Sequence, residues 1–88
     1  MINDITTIDY QVKDYRFKLG DKIKLIREQK GYSQKQLAEL MDINRTTISK
    51  IENGKFSITI DYLVRFSIFL DYEFKVIEKE KLIYGNIY

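Results

Sequence analysis

The sequence predicts a mostly α domain of four to five helices closed by one C-terminal β-strand. Three observations predict it. Apolar residues recur at helical spacing between Leu19 and Leu70, residues able to cap helices stand at the breaks, and the period then drops to two over Tyr72, Phe74 and Val76. At 88 residues the chain has room for one core and no second domain. The expected divisions are an N-terminal arm over 1–16, a helical unit over 17–71, a strand over 72–79 and a tail over 80–88.

Each element has its own signal. Residues 1–16 scatter Ile2, Ile5 and Ile8 among polar neighbours and then alternate Tyr10 with Val12, which reads as an arm holding a short strand or a helical turn. Leu19, Ile23 and Ile26 fall at i, i+4 and i+7, with Lys22, Lys24, Arg27 and Glu28 mostly on other faces. Gly31 ends that helix, because Gly takes the left-handed conformation without a Cβ clash. Ser33 is placed to cap a second helix with Leu37, Ala38 and Met41 inward. Asn44 is placed to cap a third over 45–53, with Ile48 and Ile51 inward and Gly54 just past its end. Thr59 starts a fourth that reaches about Leu70 and turns Leu63, Phe66, Ser67 and Leu70 inward. A lone strand leaves its N–H and C=O groups unpaired, so the strand needs a partner. An identical strand from a second copy is the economical one, and residues 9–13 are the competitor. Ile68 is read as an interface residue beneath that strand.

Composition excludes several function classes. With no Cys and no His, disulfides, thiolate chemistry, Cys-ligated zinc and the commonest general base are all absent. No nucleophile–base pair, Gly-rich phosphate loop or metal-ligand cluster is recognisable, so the expectation is a protein that is not an enzyme and carries no cofactor and no metal. Asp71 and Glu73 lack a second catalytic group and read as ordinary surface. The first residues lack a secretory pattern, and the most apolar stretch, Tyr62–Leu70, is broken by Arg65 and too short to span a bilayer. A cytoplasmic protein without a membrane partner is expected. Net charge is only +2, so a case for nucleic acid has to come from where the charges sit.

They sit tellingly between Ser33 and Gly54. Two short helices that cross through a tight turn need a small residue where they touch, and Ala38 supplies it. Leu37, Ile43, Ile48 and Ile51 wedge the pair against the core. The second helix is left showing Arg45, Thr46, Thr47, Ser49 and Lys50. Arg and Lys reach guanine O6/N7 in a major groove, and Thr meets a thymine methyl or a polar edge.

Leu19-Gly20, Ile23, Ile26-Arg27, Gly31, Ser33-Gln34, Leu37-Ala38, Thr47-Ile48-Ser49, Ile51-Glu52 and Gly54 together resemble the lambda-repressor/Cro-type (XRE-type) helix-turn-helix family over Leu19 to about Leu70. The resemblance implies double-stranded DNA as partner and a homodimeric repressor on an inverted repeat. It implies that Gln34 touches a phosphate and braces the recognition helix, and that Arg45, Thr46 and Lys50 point at bases with Thr47 and Ser49 secondary. Asn53 and Lys55 would meet the DNA backbone, and Arg27 and Glu52 would form an ion pair orienting the reading helix. Asp42 departs from the pattern, standing where the family usually has Gly at a positive φ. Thr59-Ile60, Leu63 and Leu70-Asp71-Tyr72-Glu73-Phe74-Lys75-Val76 resemble the close of HipB-type antitoxins. That implies a dimerisation strand using Tyr72, Phe74 and Val76, and an alternative function as an antitoxin that binds a toxin protein and autoregulates its operon.

Overall fold

Four helices, α1 (Ile5–Gln29), α2 (Gln34–Met41), α3 (Arg45–Glu52) and α4 (Ile60–Leu70), make up the fold in a computed structural model that describes residues 5–79. The hydroxyl caps form as the sequence suggests. Ser33 Oγ accepts from the Gln36 N–H at 3.0 Å while Gln36 Oε1 accepts from the Ser33 N–H at 2.8 Å, a reciprocal box that satisfies two backbone donors. Thr59 Oγ1 accepts from the Tyr62 N–H at 3.3 Å. Asn44 differs. Its backbone has cap geometry and its carbonyl accepts from Thr47, but its side chain makes no cap bond.

All four helices close on a left-handed residue: Gly31, Asp42, Gly54 and Asp71 have φ of 84°, 55°, 70° and 57°. In each, the next N–H reaches back to a carbonyl of the last turn, as in Ile43 to Ala38 at 3.0 Å and Tyr72 to Ser67 at 3.2 Å. Asp tolerates this conformation better than most L residues, so the turn after α2 survives without glycine.

α1 departs most from expectation. Residues 5–16 are not a separate arm but the first half of one continuous helix. No Pro or Gly interrupts residues 5–19, and an Asp14–Lys18 bridge of 2.9 Å adds an i, i+4 tie. Ile8 and Val12, which look like part of a strand alternation, are equally an i, i+4 pair. Residues 1–4 of the expected arm and the tail over 80–88 lie outside the described residues.

The core is Ile23, Leu37, Ala38, Met41, Ile48, Ile51, Phe66 and Leu70, drawn from all four helices. Leu19, Ile26, Ile43, Ile58 and Tyr72 pack around it. α1 comes against α3 at Gly20, whose backbone lies on the carbonyls of Ile51 and Glu52. Ser67 and Leu63 are half-buried beside Phe66, and Ile68 is exposed.

Among the described residues there is no β-strand, and residues 72–79, expected as one, have no regular secondary structure. A strand is held by ladder bonds to a neighbour, and the described part of a single chain offers none. Tyr72 instead folds back on its own core with its ring 4.9 Å from that of Phe74, edge to face. The Tyr72 hydroxyl is buried without a hydrogen-bond partner among the described residues. Burial pushes its phenol up from 10 to about 12. The folded chain therefore resists ionisation that the unfolded chain allows, so stability present below pH 10 is lost as pH rises toward 12. Tyr72→Phe is expected to flatten that alkaline loss and to leave stability at pH 7 equal or higher by ~1 kcal/mol. Urea melts of both proteins at pH 7 and pH 10.5 check it, and identical slopes would mean a solvated hydroxyl.

Candidate nucleic-acid interface

α2 and α3 meet over Ala38, with the turn between them carried by left-handed Asp42 and by Ile43. α3 is short and divides cleanly. Ile48, Ile51 and Glu52 are buried, Arg45, Thr46 and Lys50 are exposed, and Thr47 and Ser49 lie half-buried between them. The outward face is therefore polar and hydrogen-bonding along its length.

A chain of side-chain bonds fixes that face to the core. Arg27 Nε donates to Glu52 Oε2 at 2.6 Å and Nη2 to Oε1 at 3.0 Å, a two-pronged pair. Its third arm, Nη1, donates to the Tyr32 carbonyl at 2.7 Å. The side chains of Arg27 and Glu52 are only 8% and 1% exposed. Gln34 Nε2 donates to Glu52 Oε1 at 3.0 Å, and Gln34 Oε1 accepts from Arg45 Nη1 at 3.0 Å. A buried ion pair is thus connected, through Gln34, to the guanidinium at the start of α3. The bond to Glu52 also raises the Arg27 pKa above its ordinary value, with burial opposing, so Arg27 stays charged.

Arg27 corrects an expectation. Placed by sequence among the residues on other faces of its helix, it sits one turn after Ile23 and is buried like Ile23. The i, i+4 relation to Ile23 is a signal that could have found it. The Gln34–Arg45 and Gln34–Glu52 bonds link residues 11 and 18 positions apart and leave no mark in sequence spacing.

The remaining predicted residues fall as follows. Asn53 is exposed past α3, with Nδ2 donating to the Ser49 carbonyl at 2.9 Å, and Lys55 is exposed beyond it. Arg45, Thr46 and Lys50 on α3 and Asn53 and Lys55 just past it are thus exposed, with Gln34 bonded to Arg45 and Asn53 to Ser49. Tyr72, Phe74 and Val76 do not form one row: the first two are half-buried and Val76 is fully exposed. No helix among the described residues is long and apolar enough to cross a membrane.

The family model described as "Helix-turn-helix" matches residues 23–77, more than half of the chain. The chain belongs to the helix-turn-helix family. Control protein C.MunI of Mycoplasma sp is similar to it, 36% identical over 74 residues that span 78% of this chain and 100% of that protein. A putative HTH-type transcriptional regulatory protein of Pyrococcus furiosus is 31% identical over 52 residues, which is 59% of this chain and only 16% of that longer protein. Among solved structures, the restriction-modification controller protein C.AhdI from Aeromonas hydrophila superposes with a TM-score of 0.65 at 27% identity, covering 68% of this chain and 91% of that one. A structure named MDT Protein superposes with a TM-score of 0.65 at 26% identity, covering 74% and 92%. This helix-turn-helix chain thus shares its α2–turn–α3 unit with the family, whose match begins inside α1 at Ile23.

Proposed function

We propose that this helix-turn-helix protein is a sequence-specific DNA-binding regulator of transcription, a repressor acting as a homodimer on an inverted repeat. The observation that carries this is the polar face of α3, held to α2 and α1 by the Arg45–Gln34–Glu52–Arg27 chain. Base recognition in a major groove demands side chains that are exposed yet fixed in direction, and this arrangement meets both demands. Arg45 commits one guanidinium nitrogen to Gln34 and keeps other donors free for a guanine O6/N7 edge. Thr46 and Lys50 extend the reading face, with Thr47 and Ser49 secondary. Gln34 braces Arg45 and meets a phosphate, and Asn53 and Lys55 meet the backbone of the flanking turn. The similarity to a control protein and a restriction-modification controller protein supports a restriction-modification setting over a toxin pair.

The DNA-reading unit is residues 17–71, with 72–79 as a segment at the subunit contact. Ile60, Val64 and Ile68 on α4, spaced at i, i+4 and i+8, are all exposed and form an apolar stripe, and Val76 is free beyond it. A dimer reading an inverted repeat has to set two α3 helices in successive major grooves about 34 Å apart, and we assign that stripe to its subunit contact. Ile68→Asp and Val76→Asp are each expected to lower the sedimenting mass relative to the parent and to weaken DNA binding steeply. A variant whose sedimenting mass equals the parent's would move the interface elsewhere.

In-vitro selection from a randomised duplex library at near-physiological salt tests the reading, with Arg45→Ala/Lys50→Ala alongside. An enriched inverted repeat that the double variant fails to enrich supports it, and no enrichment overturns it. On the selected site, Arg45→Ala is expected to cost ~1–3 kcal/mol per half-site and to relax preference at one base pair. Lys55→Ala is expected to weaken binding to all sequences alike and to lower the salt dependence. Equal losses on specific and random DNA for Arg45→Ala would remove it from the base-reading set.

A further inference from the structure

α1 runs from Ile5, whereas the family match starts at Ile23. The stretch Ile5–Lys22 is therefore helix ahead of the family unit. Along it Ile8, Val12, Tyr15 and Leu19 follow at spacings of four, three and four, the repeat by which one helix packs on another. Ile8, Val12 and Tyr15 are 47%, 45% and 68% exposed. With Leu19 and Ile58 they line a groove of about 500 Å³. On one flank of this seam stand Asp9 and, one heptad later, Arg16. Neither belongs to an ion pair among the described residues.

That distribution of charge selects the occupant. In an antiparallel pair of such seams, Val12 faces the partner's Tyr15 and Ile8 faces the partner's Leu19, so every apolar layer is filled twice. The same register sets Asp9 opposite the partner's Arg16 and Arg16 opposite the partner's Asp9. A parallel pair instead puts Arg16 beside the partner's Gln11 and leaves both charges unanswered. Opposite signs mirrored about the seam's midpoint are what a two-fold self-contact requires. The helix needs no partner to nucleate, since its second half is already packed in the core. We infer that the N-terminal half of α1 is a self-association face, pairing antiparallel with the same helix of a second copy. The contact is separate from the α4 stripe and stands whether or not that stripe pairs copies.

The absence of cysteine makes the register directly measurable. Full-length Val12→Cys and Tyr15→Cys proteins, differently tagged and mixed under mild oxidation, are expected to give the mixed disulfide in excess over either homodisulfide. Asp9→Arg in both partners is expected to cut that yield about tenfold, two surface pairs being replaced by repulsions. The double exchange Asp9→Arg/Arg16→Asp is expected to restore it. Sedimentation of the same charge variants in an Ile68→Asp background reads the contact without the α4 face, and far-UV circular dichroism confirms that each variant keeps its helix. Dominant homodisulfides, charge reversal without effect, or a double exchange no better than the single overturn the inference. So does crosslinking that appears only after deletion of residues 80–88, since those residues would then be filling the groove.

Discussion

Glu52→Ala is expected to lower the stability of the folded chain by ~3–5 kcal/mol, the usual cost of leaving one member of a buried ion pair without its partner. Arg27 would remain charged and enclosed, with the Tyr32 carbonyl to accept from it and the half-exposed Glu28 carboxylate no nearer than 3.9 Å. Domains of this size are stable by about 5–15 kcal/mol, so the loss is a large fraction of the whole. Urea denaturation measures it directly. DNA affinity should fall as well, because Gln34 loses the carboxylate that holds its amide and Arg45 loses the brace behind it. A second variant separates stability from orientation. Replacing both partners, Arg27→Met with Glu52→Leu, removes the unpaired charge and is expected to recover most of the stability. It is not expected to recover affinity, since no acceptor remains for Gln34. A double variant that binds DNA as tightly as the parent would show the pair to be structural only. A Glu52→Ala cost under ~1 kcal/mol would place the pair in the class of solvated surface bridges.

Gly20→Ala should destabilise the protein, reversing the sign that the helix alone predicts. In an ordinary helix interior the change to alanine gains roughly 1 kcal/mol. Here an added Cβ would overlap the Ile51 carbonyl oxygen and lie 3.0 Å from that of Glu52, and both obstacles are backbone. α1 and α3 must separate, with a cost of ~1–3 kcal/mol or more for overpacking. In a domain of this size each kcal/mol lowers the melting temperature by about 4–8 °C, so the shift is readily measured. The same separation draws Arg27, two turns further along α1, away from Glu52 on α3. DNA binding should therefore weaken in step with melting temperature. A Gly20→Ala protein that melts higher than the parent would mean the helices approach less closely than the structure shows.

Local chemistry explains which parts were legible in the sequence. Ser33 and Thr59 cap where expected because a cap is decided by a hydroxyl and a backbone N–H three residues away. Asp42 takes the left-handed turn because its neighbours in the chain demand it. Leu37, Ala38, Met41, Ile48, Ile51, Phe66 and Leu70 are buried as their periodicity implies. The exposure of Arg45, Thr46 and Lys50 follows from the same periodicity, these being what remains on α3 once its apolar side is placed. Residues 5–16 are ambiguous in sequence because Ile8, Tyr10 and Val12 satisfy a period of two while Ile8 and Val12 also satisfy an i, i+4 spacing, and only the continuation through Tyr15 and Leu19 favours the helix. The strand expected over 72–79 does not form among the described residues of a single chain, because alternation reports which residues prefer a pleated surface without supplying a strand to pair with.

The sequence by itself determined the boundaries of α2, α3 and α4, the Ser33 and Thr59 caps, the apolar core positions and the identity of the polar residues left facing outward on α3. These depend on interactions within one or two turns of chain, and the twenty side chains encode them directly. Tertiary structure alone decided that the Arg27–Glu52 pair, which the family resemblance implies, is buried, that Gln34 joins it to Arg45, and that Gly20 is the point where two backbones touch. Those are contacts between separate helices, and their partners are chosen by the angle and distance at which the helices pack, a property of the assembled core that no local spacing carries.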